Sequence, residues 1–208
     1  MKCLALLGAS GHGKAVAEIA VLLGYKEIVF FDDQWPQKKD IRQWPIVGKM
    51  ADILKQKDRF SGCIVSIGDN STRLAAHNKL LTYDFPVVSL IHPRAIVSKY
   101  ISIGAGSVIM PGSIIQIDTS ISDACIINTG ATIDHDCILQ SGSHISPGAN
   151  LAGSVSVGLC SWVGVGAAIK QGVSIADYTT VGAGAVVIND TSPNTTVVGC
   201  PAKTISKI

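Results

Sequence analysis

In a stretch otherwise made of small and aliphatic residues stands Ile133-Asp134-His135-Asp136-Cys137, a histidine between two carboxylates. A neutral imidazole titrates near the pH at which most enzymes work, so it can take a proton from an attacking nucleophile. A neighbouring carboxylate can orient the ring and raise its basicity. The same triplet also suits a metal ligand, or a surface ring tied into a turn by its aspartates. Asp134 and Asp136 both qualify as the ring's partner, because adjacent residues on an extended chain point to opposite faces. A second histidine, His144, follows nine residues later.

The other chemistry-bearing stretch is GASGHGKA, residues 8–15, between a strand-like run and a helix-like run. It contains a GxxxxGK string, but Ala15 stands where a nucleoside-triphosphate loop needs the hydroxyl that coordinates magnesium, so that reading fails. Glycines here instead let the backbone approach a diphosphate while the helix N-terminus, at Ser10, Gly11 and His12, offers amide N–H groups and a positive dipole end. The next strand-like run ends in Asp32-Asp33, where a carboxylate can bond a ribose or a base edge. A third ends in Gly68-Asp69-Asn70, at the same edge of the sheet, where open α/β sheets bind ligands.

Two different kinds of scaffold must position these groups. From residue 1 to about 88, apolar runs alternate with helix-like patterns (CLALLG, KAVAEIAVLLGY, EIVFFDD, MADILKQKD, GCIVSIGDN, TRLAAHNKLL), which implies a small parallel sheet. From Ile91 the period becomes six. Seventeen successive hexads, Ile91 through Ile133 and Leu139 to Val187, carry an aliphatic residue at one position. Four residues further on, from Ser107 to Ala185, every residue is valine-sized or smaller. A helix would repeat at 3.6 and a plain strand at two, whereas a hexapeptide repeat marks a parallel β-helix. Three hexads then form one triangular coil, with the aliphatic position turned into the prism and residues about 18 apart stacked.

Composition agrees with a prism built from small and aliphatic side chains. Aromatics make up 5% of the 208 residues and charged residues 15%, and the net charge of +2 supplies no basic stripe for nucleic acid. The six cysteines are scattered without a CxxC pair, so neither a zinc site nor a disulfide framework is indicated. No apolar run has membrane-spanning length and no signal-peptide pattern opens the chain, so a cytoplasmic protein is expected.

On the hexad ruler His135 takes the third position and His144 the sixth, half a coil apart, so one chain does not bring them to a common metal ion. Gly153 falls one coil above His135 and Ile117 one coil below; the glycine is expected to leave an open notch for a thioester arm. His144 stacks between Ile126 and Trp162, a position equally suited to a packed surface ring.

The repeats resemble the left-handed β-helix of hexapeptide acyltransferases, and VVGCPAKTI, residues 197–205, matches their GxPAK ending. Over nearly its whole length the chain resembles bacterial sugar O-acyltransferases related to sialic-acid O-acetyltransferases, and especially the UDP-4-amino-sugar N-acetyltransferases of bacillosamine-type pathways. The resemblance implies an α/β plus all-β architecture: a small Rossmann-like parallel-sheet domain over residues 1–88 that binds the UDP-sugar, then a left-handed parallel β-helix over 89–208. It implies acetyl-CoA as co-substrate, no metal, and a homotrimer with active sites between subunits. Carried over position by position, it makes His135 the general base and Asp136 its modulator. It puts Ser10, Gly11, His12, Asp32, Asp33 and Gly68 on the UDP-sugar, Asn128 on the acceptor amine, and His144, Gly153, Val165 and Ala183 on acetyl-CoA. Two alternatives remain: O-acetylation of a sialic-acid-type sugar, and a non-catalytic nucleotide-sugar-binding scaffold.

Overall fold

The computed structural model describes residues 2–205 and divides into two compact units, Met1–Pro93 and Arg94–Ile208. The first unit runs β1 (Cys3–Leu7), α1 (Gly11–Leu22), β2 (Glu27–Phe31), β3 (Asp40–Ile41), β4 (Trp44–Gly48), two 3-10 turns (Met50–Lys55 and Lys57–Arg59), β5 (Gly62–Val65) and α2 (Asn70–Thr82). Its sheet has the order β3-β4-β2-β1-β5. Strands β1 and β5 are buried throughout, as expected of a parallel sheet covered on both faces. The hairpin β3–β4 was not legible from apolar runs: β3 is a two-residue edge strand antiparallel to β4, and β4 carries Pro45. The sheet is therefore parallel except at that edge.

Helix α1 begins at Gly11 rather than Lys14, because Ser10 caps it with a hydroxyl that accepts from the Gly13 N–H at 3.3 Å. Gly13 lets α1 sit close to the sheet: a Cβ there would lie 2.5 Å from the Gly8 carbonyl and 3.1 Å from the Phe30 ring.

The second unit is a parallel β-helix with three faces. The first face stacks Ile96–Val97, Ile114–Ile115, Thr132–Ile133, Asn150–Leu151, Ala168–Ile169 and Val186–Val187. The second stacks Ser102–Ile103, Ser120–Ile121, Ile138–Leu139, Ser156–Val157 and Ser174–Ile175. The third includes Val108–Ile109, Ile126–Ile127, His144–Ile145, Trp162–Val163 and Thr180–Val181, and ends in Thr196–Val198 and the antiparallel Lys203–Ile205. Registers such as Ile115↔Ile133 and Ile133↔Leu151 reproduce the 18-residue offset of the sequence period.

From Ile109 to Val187 the aliphatic ruler positions form one buried core, together with the small position four residues on. Val97 and Ile103 are only partly buried and Ile91 is 36% exposed, so the ruler marks the core only once a coil has neighbours on both sides. Buried hydroxyls among the small positions are satisfied: Ser107 donates to the Ser122 carbonyl at 3.0 Å, and Ser161 to that of Ala176 at 2.7 Å.

From Gly106 to Gly184 each corner turns on one left-handed residue, and these too recur every six: Asp118, Ala124, Gly130, Asp136, Gly142, Gly148, Ser154 and Cys160 among them. Among the described residues no helix is long and apolar enough to cross a membrane.

Candidate active site

His135 and Asp136 occupy the corner between the first and second faces. Asp136 is the left-handed residue of that corner, with φ of 60°. The turn brings its carboxylate back onto the preceding ring, so Nδ1 of His135 donates to Oδ2 of Asp136 at 2.6 Å. The extended-strand argument that left Asp134 and Asp136 equivalent does not apply to a left-handed corner. The bond places the ring proton on Nδ1 and leaves Nε2 as the basic nitrogen. It is also the main reason that the His135 pKa rises above the ordinary histidine value, with the charges of Asp136 and Asp134 adding to it and desolvation opposing. Both side chains are more than half exposed, at 54% and 57%, so the ring is reachable by a ligand.

Three neighbours hold the arrangement. A Cβ on Gly153 would lie 2.6 Å from Cε1 and 2.8 Å from Nε2 of His135. The glycine therefore leaves no open notch: the imidazole itself fills the space above it, and Gly153 is the seat of the ring. Asp134 turns to the coil below, where its Oδ1 accepts from Nε2 of Gln116 at 2.6 Å. Cys137 is buried; its thiol donates to the Ala152 carbonyl at 3.3 Å, and burial pushes its pKa up, so it is no thiolate nucleophile.

His144 lies on the third face, across the prism from the His135 corner. Its register neighbours are Ile126 below and Trp162 above. The Trp162 ring stacks on it nearly parallel, at 7° and 5.8 Å between centroids, and is fixed by its own N–H donating to Ser146 at 2.6 Å. Oδ1 of Asn128 accepts the Thr129 N–H, so the Asn128 amide nitrogen is the group that faces His144 Nε2 at 3.1 Å. Nε2 of His144 is then placed to accept from Asn128. Val165 and Ala183 are both exposed, one coil apart, at the corner between the third and first faces.

In the first unit a cleft of about 420 Å³ is lined by Gly8, Ser10, Asp32, Asp33, Gln34, Met50, Ile67 and Gly68. Asp32 clamps the loop, since Oδ2 accepts from the Ala9 N–H at 2.7 Å and Oδ1 from that of Gln34 at 2.9 Å. Asp33 accepts from the Met50 N–H at 3.1 Å. His12 lies inward on α1; burial first, and the Arg73 guanidinium second, pull its pKa down to about 4, and its Nε2 has no hydrogen-bond partner among the described residues. Arg73, itself buried, donates to the carbonyls of Ile67 at 3.2 Å and Gly68 at 3.0 Å and so shapes the cleft rim. Lys14, of the rejected GxxxxGK string, lines a separate cleft with Glu18, Arg42 and Trp44.

Residues 3–80 match the family model of the PglD N-terminal domain. The acetyltransferase domain of PglB from Neisseria gonorrhoeae, solved with acetyl coenzyme A, is 39% identical, covering 98% of this chain and 99% of that one, with a TM-score of 0.94. Perosamine N-acetyltransferase from Caulobacter crescentus, solved with CoA and GDP-perosamine, is 35% identical, covering 100% and 98%, with a TM-score of 0.95. The chain belongs to the PglD-like family of sugar N-acetyltransferases. UDP-N-acetylbacillosamine N-acetyltransferase from Bacillus subtilis is 36% identical over 112 residues, 52% of this chain. That match spans about half of the curated relative's length, 51%.

Within this family member, the residues expected at the site form three groups. His135, Asp136 and Gly153 meet at one corner of the prism. Asn128 and His144 meet on the opposite face, with Val165 and Ala183 on the corner beside it. Ser10, Asp32, Asp33 and Gly68 line the cleft of the first unit, while Gly11 opens α1 and His12 is turned inward. Sequence reasoning placed Trp162 over His144 but passed over Gln116 and Lys38, whose ammonium donates to the Ala9 carbonyl of the glycine loop at 2.5 Å. For Gln116 the 18-residue offset from Asp134 was an available signal. Nothing in the sequence marked Lys38, 29 residues from its partner.

Proposed function

We propose that the protein transfers the acetyl group of acetyl-CoA to the amino group of a nucleotide-linked amino sugar, and that the acceptor is the 4-amino group of a UDP-2-acetamido-4-amino-2,4,6-trideoxyhexose. The observation that carries the reading is the 2.6 Å bond between His135 Nδ1 and Asp136 Oδ2, which leaves Nε2 basic and exposed. The amine nitrogen attacks the thioester carbonyl, its N–H proton passes to Nε2, and the C–S bond breaks. The CoA thiolate then takes a proton, leaving amide and free thiol. The buried thiol of Cys137 favours direct transfer over an acyl-enzyme.

The nucleotide of the sugar belongs in the cleft at the glycine loop, with the helix N-terminus and Lys38 on its phosphates and Asp33 on its ribose or base. Acetyl-CoA belongs along the coils of His144, Val165 and Ala183, with Asn128 beside them for the acceptor amine. Because His135 and His144 lie on opposite sides of one prism, we assign the working enzyme to a homotrimer in which the corner of one copy meets the third face of the next. A monomer by light scattering at assay concentration removes that assignment.

A second reading keeps the chemistry and changes the nucleotide to guanosine, favoured by the full-length likeness to the perosamine enzyme. Thiol release from acetyl-CoA, measured against a panel of UDP- and GDP-linked amino sugars, decides between them. Near-normal turnover by His135→Ala on the substrate so found would end the mechanism.

A further inference from the structure

A carboxylate that the transfer mechanism does not use stands next to its base. Asp134 is half-buried, immediately before His135, and outside the His135–Asp136 bond. Its Oδ1 is held by Gln116 Nε2 from the coil below at 2.6 Å. Its own carbonyl is held by the Thr119 hydroxyl at 3.0 Å, so backbone and carboxylate are both fixed. Oδ2 has no hydrogen bond among the described residues. The coil above presents Ala152, which brings no charge. On its own turn the titratable groups next to Asp134 are His135, Asp136 and Cys137, and the matching turn of the coil below carries Asp118; Asp136 is engaged with the ring, and the Cys137 thiol is buried, which pushes its pKa up. Asp134 is thus a pinned carboxylate with one open oxygen, next in sequence to the base, whose ring feels its charge.

An amine acceptor needs such a group and a hydroxyl acceptor does not. Below its own pKa the acceptor reaches the enzyme as an ammonium, with no lone pair to attack a thioester. It must give one proton to water before it reacts and a second to His135 as the C–N bond forms. A fixed carboxylate beside the base gathers the ammonium to the point where it is deprotonated, and a charge-assisted bond to it is among the stronger hydrogen bonds. A neutral hydroxyl gains little from the same anion.

We propose that Asp134, held by Gln116, is the counter-ion that docks the acceptor's ammonium and makes this site select amines over alcohols. The proposal rests on the transfer reaction proposed above. It assigns Asp134 to acceptor binding and leaves proton transfer to His135.

The variant is Asp134→Asn, which keeps the size of the side chain and an oxygen for Gln116 to bond. Steady-state kinetics near neutrality should show KM for the amino sugar rising about tenfold, with kcat much less affected. The KM difference should shrink toward parity as pH rises past the pKa of the amine. Calorimetric binding of the analogue with a hydroxyl in place of the amine should be the same for both proteins. Gln116→Leu, which frees the carboxylate without removing its charge, should give a smaller loss of the same kind. An unchanged KM, or equal weakening of the amino sugar and its hydroxyl analogue, overturns the assignment. A wild-type protein that neither binds nor acetylates any amino sugar overturns the transfer reaction itself, and the two failures are therefore distinct.

Discussion

Replacing Gly153 with alanine tests the seat of the His135 ring, the proposed base, in isolation. The backbone of Gly153 is not left-handed, so alanine is tolerated by the main chain, and only the His135 imidazole stands in its way. The added Cβ would lie 2.6 Å from Cε1, while ordinary contact begins at 3.4 Å, so the ring must move by at least 0.8 Å. Because the His135 side chain is 54% exposed, it can swing outward, and the melting temperature should change by no more than about 2 °C. Catalysis has no such freedom, since a misplacement of about 1 Å in a reacting group costs on the order of a hundredfold in rate. The swing also strains the 2.6 Å bond to Asp136 that holds the imidazole pKa up. The base must be neutral to work, so the acid limb of the kcat/KM profile should move to lower pH while its plateau falls. Thiol-release kinetics across pH, beside thermal unfolding, read all three quantities. Gly153→Ala with kcat within about threefold of wild type and an unmoved acid limb would refute the idea that the glycine positions the base.

Asp136→Gly should separate corner from chemistry: glycine accepts the φ of 60° freely, so the melting temperature should hold or rise while kcat drops by about ten- to a hundredfold, less than the roughly 10²–10⁴ of a general base because His135 itself remains. A large fall in melting temperature would instead make Asp136 a structural residue. His12 should make the first unit acid-sensitive. With its pKa lowered from 6.5 to about 4 in the folded state, stability is complete above the unfolded value and is lost as pH falls between 6.5 and 4, by on the order of 3 kcal/mol. Urea unfolding of His12→Gln should show a shallower loss over that window; equal acid sensitivity would contradict the assignment. Gly13→Ala should destabilise by about 2 kcal/mol, because its Cβ meets a backbone carbonyl at 2.5 Å and a buried ring at 3.1 Å, neither of which yields easily. UDP binding measured by calorimetry should weaken with it, since the carbonyl displaced belongs to the Gly8 loop. Unchanged unfolding and binding would remove Gly13 from the loop's support.

The prism was legible because its packing rule is one-dimensional: a residue's place in the hexad decides whether it faces the core, and Ile133, Cys137 and Leu139 obey it without reference to distant sequence. The limits of the rule are physical. Ile91 keeps the spacing but lacks coils on both sides, and remains 36% exposed. In the first unit the alternation of strand and helix was readable, but β3 is only two residues long and Pro45 interrupts the apolar run of β4. The residues of the loop cleft could be named from strand ends, because ligands gather where such sheets open. What Asp32 does there could not, since its bonds go to the amides of Ala9 and Gln34, one of them 23 residues away.

The position of His135 in the hexad explains how a corner of the prism can carry the group proposed as the base. Two of the six positions are committed to the interior and a third to the left-handed turn, where glycine or a short polar residue is favoured. His135 occupies an outward position directly before that turn, and the turn residue itself supplies the carboxylate. A single corner thus provides base and modulator from adjacent residues, with no contribution from a distant loop. The coil above must then be glycine, because stacking at 18 residues puts its Cβ where the ring lies. One histidine at this position therefore constrains its own turn and the matching turn of the next coil. The same stacking makes the Gln116–Asp134 pair a neighbour of the base rather than an isolated surface contact. The regularity that makes the prism stable also fixes the distances on which its chemistry depends.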